Sequence, residues 1–199
     1  MYKLGLTGNI GCGKSSVSEI LEENGFAIVD ADKIARGIYN YDDIMLEMKK
    51  NFPSAIVNNT VDRAILANIV FSDRKKLNLL NEITHKKIRS LMEEEINYYE
   101  KNDVKVVVLD VPLLFEAGFD KMADFIVVVI CDLEEQINRI IKRDGIKRED
   151  AINRINSQMS QEEKMKRADF VIDNSKNKDE LKKNVIKFID EFDKNKNKW

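Results

Sequence analysis

The sequence predicts an α/β fold, a parallel sheet covered by helices on both faces. Two observations carry this. Five short apolar runs alternate with helical patterns, and the two strongest, "KVVVLDVP" (Lys105–Pro112) and "DFIVVVICD" (Asp124–Asp132), are nearly continuous Val/Leu/Ile. A strand buried on both faces reads as such a run, whereas a half-exposed antiparallel strand alternates.

The elements are taken in chain order. "YKLGL" (Tyr2–Leu6) is the first strand. "KSSVSEILEENG" continues as a helix with Val17, Ile20 and Leu21 at helical spacing and Gly25 ending it. "FAIVD" (Phe26–Asp30) is the second strand. From Asp32 to Lys101 no strand pattern is expected; "DRAILANIVF" and the long stretch with Leu77, Leu80, Ile83, Ile88, Leu91, Met92 and Ile96 read as helices. Strands three and four are the two apolar runs, and "ADFVIDNS" (Ala168–Ser175) is the fifth. "DELKKNVIKFIDEF" closes the chain as an amphipathic helix, with "DKNKNKW" as a frayed tail. The expected organisation is a core of residues 1–31 and 102–199, a helical lobe over about 32–101 and a lid over about 142–150, in one folding unit without a linker.

Composition narrows the class. The chain has 199 residues, 43% hydrophobic and 34% charged, with net charge −2. That size buries a substantial core. The charges are mixed along the chain, so no nucleic-acid partner is expected. No apolar run reaches the length of a membrane span and no leader pattern opens the chain. Two cysteines, Cys12 and Cys131, are too few and too far apart in sequence for a disulfide framework or a zinc site. A reduced, cytoplasmic protein is the expectation, a monomer with association of copies left open.

The chemistry starts at "GLTGNIGCGKSS". Gly8-x4-Gly13-Lys14-Ser15 satisfies G-x-x-x-x-G-K-[ST] and lies between a strand and a helix, as that motif requires. Here the backbone of Gly8, Asn9, Ile10, Gly11, Cys12 and Gly13 would curl its N–H groups around the phosphates of a nucleotide. The new helix adds its positive end, running through Lys14, Ser15 and Ser16. Lys14 would reach the β- and γ-phosphate oxygens and the Ser15 hydroxyl would bind Mg2+. Cys12 reads as a small filler, although a helix N-terminus lowers a thiol pKa. GTP switches also carry D-x-x-G and N-K-x-D. No aspartate here stands three before a glycine, and "NKDE" at Asn177 lacks the final aspartate.

An acceptor side is therefore expected elsewhere. The second strand ends in Asp30, with Asp32 two residues on. Ligands of open α/β sheets gather at the carboxyl ends of strands. One of the pair would cap the following helix and the other would take the proton of an attacking hydroxyl; we assign the cap to Asp30 and the catalytic carboxylate to Asp32. Arg36, one turn on, would hold an anionic part of the acceptor. Asp110, closing "VVVLD", either helps hold Mg2+ through water or merely forms a turn. Lys142, Arg143, Lys147 and Arg148 surround Gly145 and form either a lid over the phosphates or a solvated loop. His85 is the single histidine and by itself reads as a surface or half-buried residue.

"GLTGNIGCGKSSV", "VDADKIAR", "VPLLFEAG" and "NRINSQMSQEEKMKRADFVIDNS" together resemble the dephospho-coenzyme A kinase family over nearly the whole chain. The resemblance implies the nucleoside-monophosphate-kinase-like P-loop NTPase fold, with a five-stranded parallel sheet flanked by helices, a helical acceptor-binding lobe and a lid. It implies ATP and dephospho-coenzyme A as substrates, with Mg2+, and phosphorylation of the ribose 3′-hydroxyl as the last step of coenzyme A synthesis. On the family pattern Asp32 is the general base, Lys14 and Ser15 belong to the P-loop, Arg36 is the arginine of "DAD-x-x-AR" and Arg143 falls among the lid arginines. Leu113, Leu114 and Glu116 of "PLLFE" line the acceptor site, and His85 is an acceptor contact. Asn9, Cys12 and Ser16 replace the residues more usual in the loop, and His85-Lys86 stands where the family often has His-Pro. Two other readings remain: a kinase of nucleosides or nucleotides on the same fold, and a nucleotide-binding module without catalysis.

Overall fold

A computed structural model describes residues 1–195; of the expected tail, 196–199 lie outside the described residues, and Asp193 to Asn195 are helical. The chain divides into two compact units, Met1–Val29 with the chain from Tyr99 onward, and Asp30–Tyr98.

The first unit is built on a five-stranded parallel sheet in the order β2-β5-β1-β6-β7. Its strands are β1 (Tyr2–Gly8), β2 (Ala27–Asp30), β5 (Val106–Asp110), β6 (Phe125–Ile130) and β7 (Phe170–Asp173). The register sets Leu6 beside Asp110, Gly8 beside Val129 and Ile130 beside Asp173. The carboxyl ends of four strands thus form one edge, and the segments leaving those strands converge there. The expected buried runs are buried: Leu4, Leu6, Val107, Val108, Leu109, Val127, Val128 and Val129 are all inaccessible to solvent.

Helix α1 (Lys14–Glu23) and helix α9 (Lys178–Asn195) supply Val17, Leu21, Leu181, Val185, Phe188 and Phe192 to one core cluster with the sheet. Leu181, Val185, Phe188 and Phe192 recur at helical spacing, which is why this charged segment folds as a helix against the sheet. Burying each such side chain contributes about 1.5–3 kcal/mol. The rings of Phe125, Phe170, Phe188 and Phe192 meet at centroid distances of 4.9–6.5 Å. Helices α6 (Leu133–Asp144), α7 (Arg148–Asn156) and α8 (Gln161–Met165) complete the unit.

The second unit holds α2 (Ala31–Arg36), α3 (Asp42–Asn51), α4 (Arg63–Phe71) and most of α5 (Arg74–Lys101). Asp62 caps α4, accepting from Ala64 N and Ile65 N at 2.9 Å each. Helix α5 runs without a break through His85-Lys86, where a proline would have removed a ladder donor. It buries Thr84, Ile88, Met92 and Ile96, a stripe four residues apart. One expectation fails here. The stretch read as free of strands contains an antiparallel pair, β3 (Ile56–Val57) and β4 (Thr60–Val61). Asn58 and Asn59 turn it with φ of 48° and 60°, a left-handed pair that asparagine tolerates and that suits a two-residue hairpin.

Candidate active site

The first unit assembles its site at the carboxyl edge of the sheet. Strand β1 delivers the turn Asn9–Gly13, and α1 starts at Lys14. Gly13 occupies the helix N-cap at φ 82°, and a Cβ there would collide with the Asn174 side-chain amide. Gly8 lies so close to β6 that a Cβ would stand 2.7 Å from the Val129 carbonyl. Both positions therefore require glycine. No side chain caps α1, unlike α2, α4 and α8, whose first turns are held by Asp30, Asp62 and Ser160. The Gly13 carbonyl takes the N–H groups of Ser16 and Val17, and those of Lys14 and Ser15 stand at the end of the helix that favours an anion.

Lys14 extends to Asp110 at the end of β5 and forms an ion pair with it. Asp110 is buried, and its carboxylate rests on the P-loop lysine. Ser15 is exposed at the start of α1, and Ser16 is half-buried behind it.

Residues from the far end of the sequence brace the loop. Gln158 Oε1 accepts from Ile10 N at 2.8 Å, and the Met159 carbonyl accepts from Asn9 Nδ2 at 2.8 Å. Gln136 Nε2 donates to the Ile10 carbonyl at 2.7 Å, and Asn174 Nδ2 donates to the Cys12 carbonyl at 2.8 Å. The Arg139 guanidinium stands beside the turn, with Nη2 donating to the Asn174 carbonyl at 2.9 Å and Nε pairing with Glu135 at 2.8 Å. Cys12 and Cys131 are both buried and their sulfurs are 3.4 Å apart, so two residues read as unrelated are neighbours. The hydrogen bond from Cys131 draws the Cys12 thiol pKa down, whereas the same contact and burial push Cys131 up.

"PLLFE" is tied to the same brace. Leu114 is fully buried, packed where a Cβ on Gly5 of β1 would meet its Cδ2 at 3.2 Å, while Leu113 is 41% exposed. Glu116 Oε1 accepts from Met159 N at 3.1 Å and pairs at 3.0 Å with Lys164, whose side chain is inaccessible to solvent. Lys164 also donates to the Pro112 carbonyl at 3.3 Å, which the Thr7 hydroxyl engages at 2.9 Å. Replacing Lys164 by Met keeps the volume but strands the Glu116 carboxylate. We expect a loss of about 2–3 kcal/mol by chemical denaturation, below the range for a fully buried pair because Glu116 keeps some solvent. Adding Glu116→Leu should recover part of it.

The basic stretch about Gly145 is mostly helix: Lys142 and Arg143 end α6, and Arg148 begins α7. Arg143 forks onto Asp144 at 2.7 and 3.0 Å, Arg154 reaches the same carboxylate at 2.6 Å, and Arg148 forks onto Glu134 at 2.9 and 2.6 Å. The neighbouring guanidinium holds Asp144 below the usual carboxylate range.

In the second unit Asp30 performs the cap expected of it, accepting from Lys33 N at 3.0 Å. Asp32 and Arg36 are exposed in the first and last turns of α2. Glu95 lies near Lys33 and Asp30, and burial raises its carboxyl pKa. His85 is half-buried on α5; burial and then the Arg89 charge lower its pKa, so it is neutral at pH 7. Sequence reasoning missed Gln136, Arg139, Gln158, Gln161, Lys164 and Asn174. The one signal was the "QMSQEEK" segment, legible as a motif but not as a brace.

A parallel sheet whose first strand feeds a glycine turn into an uncapped helix, with a lysine at its first position, defines a P-loop nucleotide-binding fold. Shikimate kinase from Bacteroides thetaiotaomicron shares that fold with a TM-score of 0.54, covering 96% of this chain and 98% of its own, at 10% identity. Residues 2–180 match the family model for dephospho-CoA kinase. A relative named dephospho-CoA kinase from Fusobacterium nucleatum is 47% identical over 193 residues, 94% of this chain and 96% of its own. The solved dephospho-CoA kinase from Campylobacter jejuni superposes with a TM-score of 0.74 at 33% identity, covering 98% of each chain. The chain belongs to the dephospho-CoA kinase family. Among the described residues no helix is long and apolar enough to cross a membrane.

Proposed function

We propose that the protein transfers the γ-phosphoryl group of ATP to the ribose 3′-hydroxyl of dephospho-coenzyme A, giving coenzyme A and ADP. The observation that carries the phosphate side is the uncapped, glycine-bounded start of α1 with Lys14 as its first residue. Family membership carries the acceptor.

In this reading the amides of the turn and of the start of α1 that are not already engaged receive the triphosphate, Ile10 N being held by Gln158, Cys12 N by the Asn9 carbonyl and Ser16 N by the Gly13 carbonyl, and Lys14 exchanges Asp110 for the β- and γ-phosphate oxygens. The 3′-oxygen bonds to the γ-phosphorus as the bond to the ADP oxygen breaks, and the hydroxyl proton passes to Asp32. Phosphoryl transfer has a loose transition state, so Asp32 acts as much by aligning the hydroxyl as by basicity. Arg36 holds an acceptor anion. Leu113 offers the acceptor its exposed side chain, whereas Leu114 and Glu116 fix that segment from behind. His85 meets the acceptor as a neutral ring. Arg143 leaves Asp144 to reach the transferred group.

Mg2+ fits the donors present. Among the described residues there is no cluster of three or more His, Cys, Asp or Glu that would hold a metal by itself. A nucleotide-borne Mg2+ needs only one or two hard oxygen groups from the protein beside phosphate and water. The exposed Ser15 hydroxyl would supply one and the Asp110 carboxylate would act through water, and the ion would neutralise charge on the phosphates.

The test is ADP release by purified protein with ATP and Mg2+. Dephospho-coenzyme A should stimulate it and AMP should not, with the product phosphate mapping to the 3′ position. Stimulation by AMP alone would reassign the protein to the nucleotide kinases.

A further inference from the structure

Cys12 lies in the phosphate-binding turn, and Cys131 immediately follows β6. Both are free thiols, 0% and 5% exposed, with sulfurs 3.4 Å apart. We infer that this pair is a peroxide-sensitive dithiol, whose oxidation to a Cys12–Cys131 disulfide distorts the phosphate-binding turn and switches nucleotide binding off. The inference goes beyond the proposed reaction and does not depend on which acceptor the protein phosphorylates.

The surroundings fix which cysteine moves. Gln161 clamps Cys131 through both backbone groups: Oε1 accepts from Cys131 N at 3.0 Å, and Nε2 donates to its carbonyl at 3.1 Å. Cys131 is thus held at the sheet edge as a further strand would hold it. Cys12 sits in a turn secured at its carbonyl by Asn174. A disulfide bond is about 2.05 Å long, so closure draws the sulfurs together by more than 1 Å, and the turn yields rather than the sheet. Lys14 is two residues away and moves with it.

The pair is also arranged to react in one sense. Cys131 S–H points at the Cys12 sulfur, and the Cys12 thiol in turn donates to Gln161 Oε1 at 3.3 Å. The first contact favours the Cys12 thiolate, as does the start of α1 two residues on. Cys12 attacks one oxygen of hydrogen peroxide, the O–O bond breaks, and a sulfenic acid and one water form. The Cys131 sulfur then attacks the Cys12 sulfur, the S–O bond breaks, and the hydroxyl leaves with the Cys131 proton as a second water. Two thiols lose two electrons and one peroxide gains them. A thiol reductant reverses the change by exchange. Burial of both sulfurs favours a small oxidant, and the displaced turn of the linked form opens the pair to a thiol reductant.

The test treats the reduced full-length protein with hydrogen peroxide, with and without ATP, and follows free thiols by alkylation and mass spectrometry and nucleotide binding by a fluorescent ATP analogue. Expected are a linked Cys12–Cys131 peptide lighter by two hydrogens, loss of nucleotide affinity as the turn is displaced, full recovery with dithiothreitol, and slower oxidation when ATP occupies the turn. Cys131→Ser and, as a second variant, Cys131→Ala should bind nucleotide normally when reduced, form no linked peptide, and stop at the Cys12 sulfenic acid, trapped by dimedone. The inference is overturned if the linked protein binds nucleotide as well as the reduced one, or if both thiols remain alkylatable after peroxide has abolished binding.

Discussion

Lys14→Met should lower kcat/KM by about 10²–10³-fold, the loss typical when one preorganised charge donor is removed from a phosphoryl or oxyanion site. Lys14 is the first residue of α1, directly after the left-handed Gly13, and its ammonium group rests on Asp110 at the end of β5. A methionine fills the same space without charge. The variant has a second cost. Asp110 is 5% exposed and paired with Lys14, and losing one partner of a buried pair typically costs about 3–5 kcal/mol. A low activity alone would therefore confuse catalysis with unfolding. Lys14→Met combined with Asp110→Asn, measured beside Asp110→Asn alone, separates them. The double variant should regain much of the thermal stability, because no buried charge is left unpaired, and should remain inactive. Recovery of turnover together with stability would show that Lys14 serves the fold rather than the phosphates.

How much of this was legible depends on the sequence distance over which each feature is encoded. Strands β5 and β6 announced themselves because burial on both faces leaves no polar alternation in "VVVLD" and "FIVVVI". The phosphate-binding turn was legible for a related reason: its glycines, lysine and serine lie within eight residues and need no distant partner to be recognised. The hairpin β3–β4 escaped because two-residue strands carry no periodicity, although Asn58-Asn59 was a turn signal. The brace was invisible. Asn174 meets the Cys12 carbonyl across 162 positions, Gln158 meets Ile10 N across 148, and the two sulfurs meet across 119. Composition and spacing do not encode such pairs; the strand order does, by setting the ends of β1, β6 and β7 side by side. The basic stretch shows the opposite limit. Its charges were legible, but that Arg143 and Arg148 are each forked onto a carboxylate emerged only from the helical geometry of α6 and α7.

Asp32→Asn is the second large effect expected. Asp30 and Asp32 are chemically alike and two residues apart: the Asp30 carboxylate accepts from Lys33 N at the start of α2, and Asp32 lies exposed within the first helical turn. Asparagine keeps the size of Asp32 and one acceptor oxygen but cannot take a proton. General-base removal costs about 10²–10⁴-fold. The loose transition state of phosphoryl transfer places the expected loss in kcat at the lower end, about 10²-fold, because the attacking hydroxyl acquires little acidity before the leaving bond opens. Affinity for ATP should change little, and KM for dephospho-coenzyme A should rise less than kcat falls, since the carboxylate contributes mainly after the acceptor is bound. Asp30→Ala provides the contrast: it should cost about 1 kcal/mol of stability through the lost cap and leave most of the turnover in place. Single-turnover measurements with saturating substrates give the decisive comparison. If Asp32→Asn transfers phosphate as fast as the parent while Asp30→Ala does not, the two aspartates have exchanged roles. If neither slows the step, the hydroxyl is aligned by another group and the acceptor half of the mechanism must be rebuilt around it.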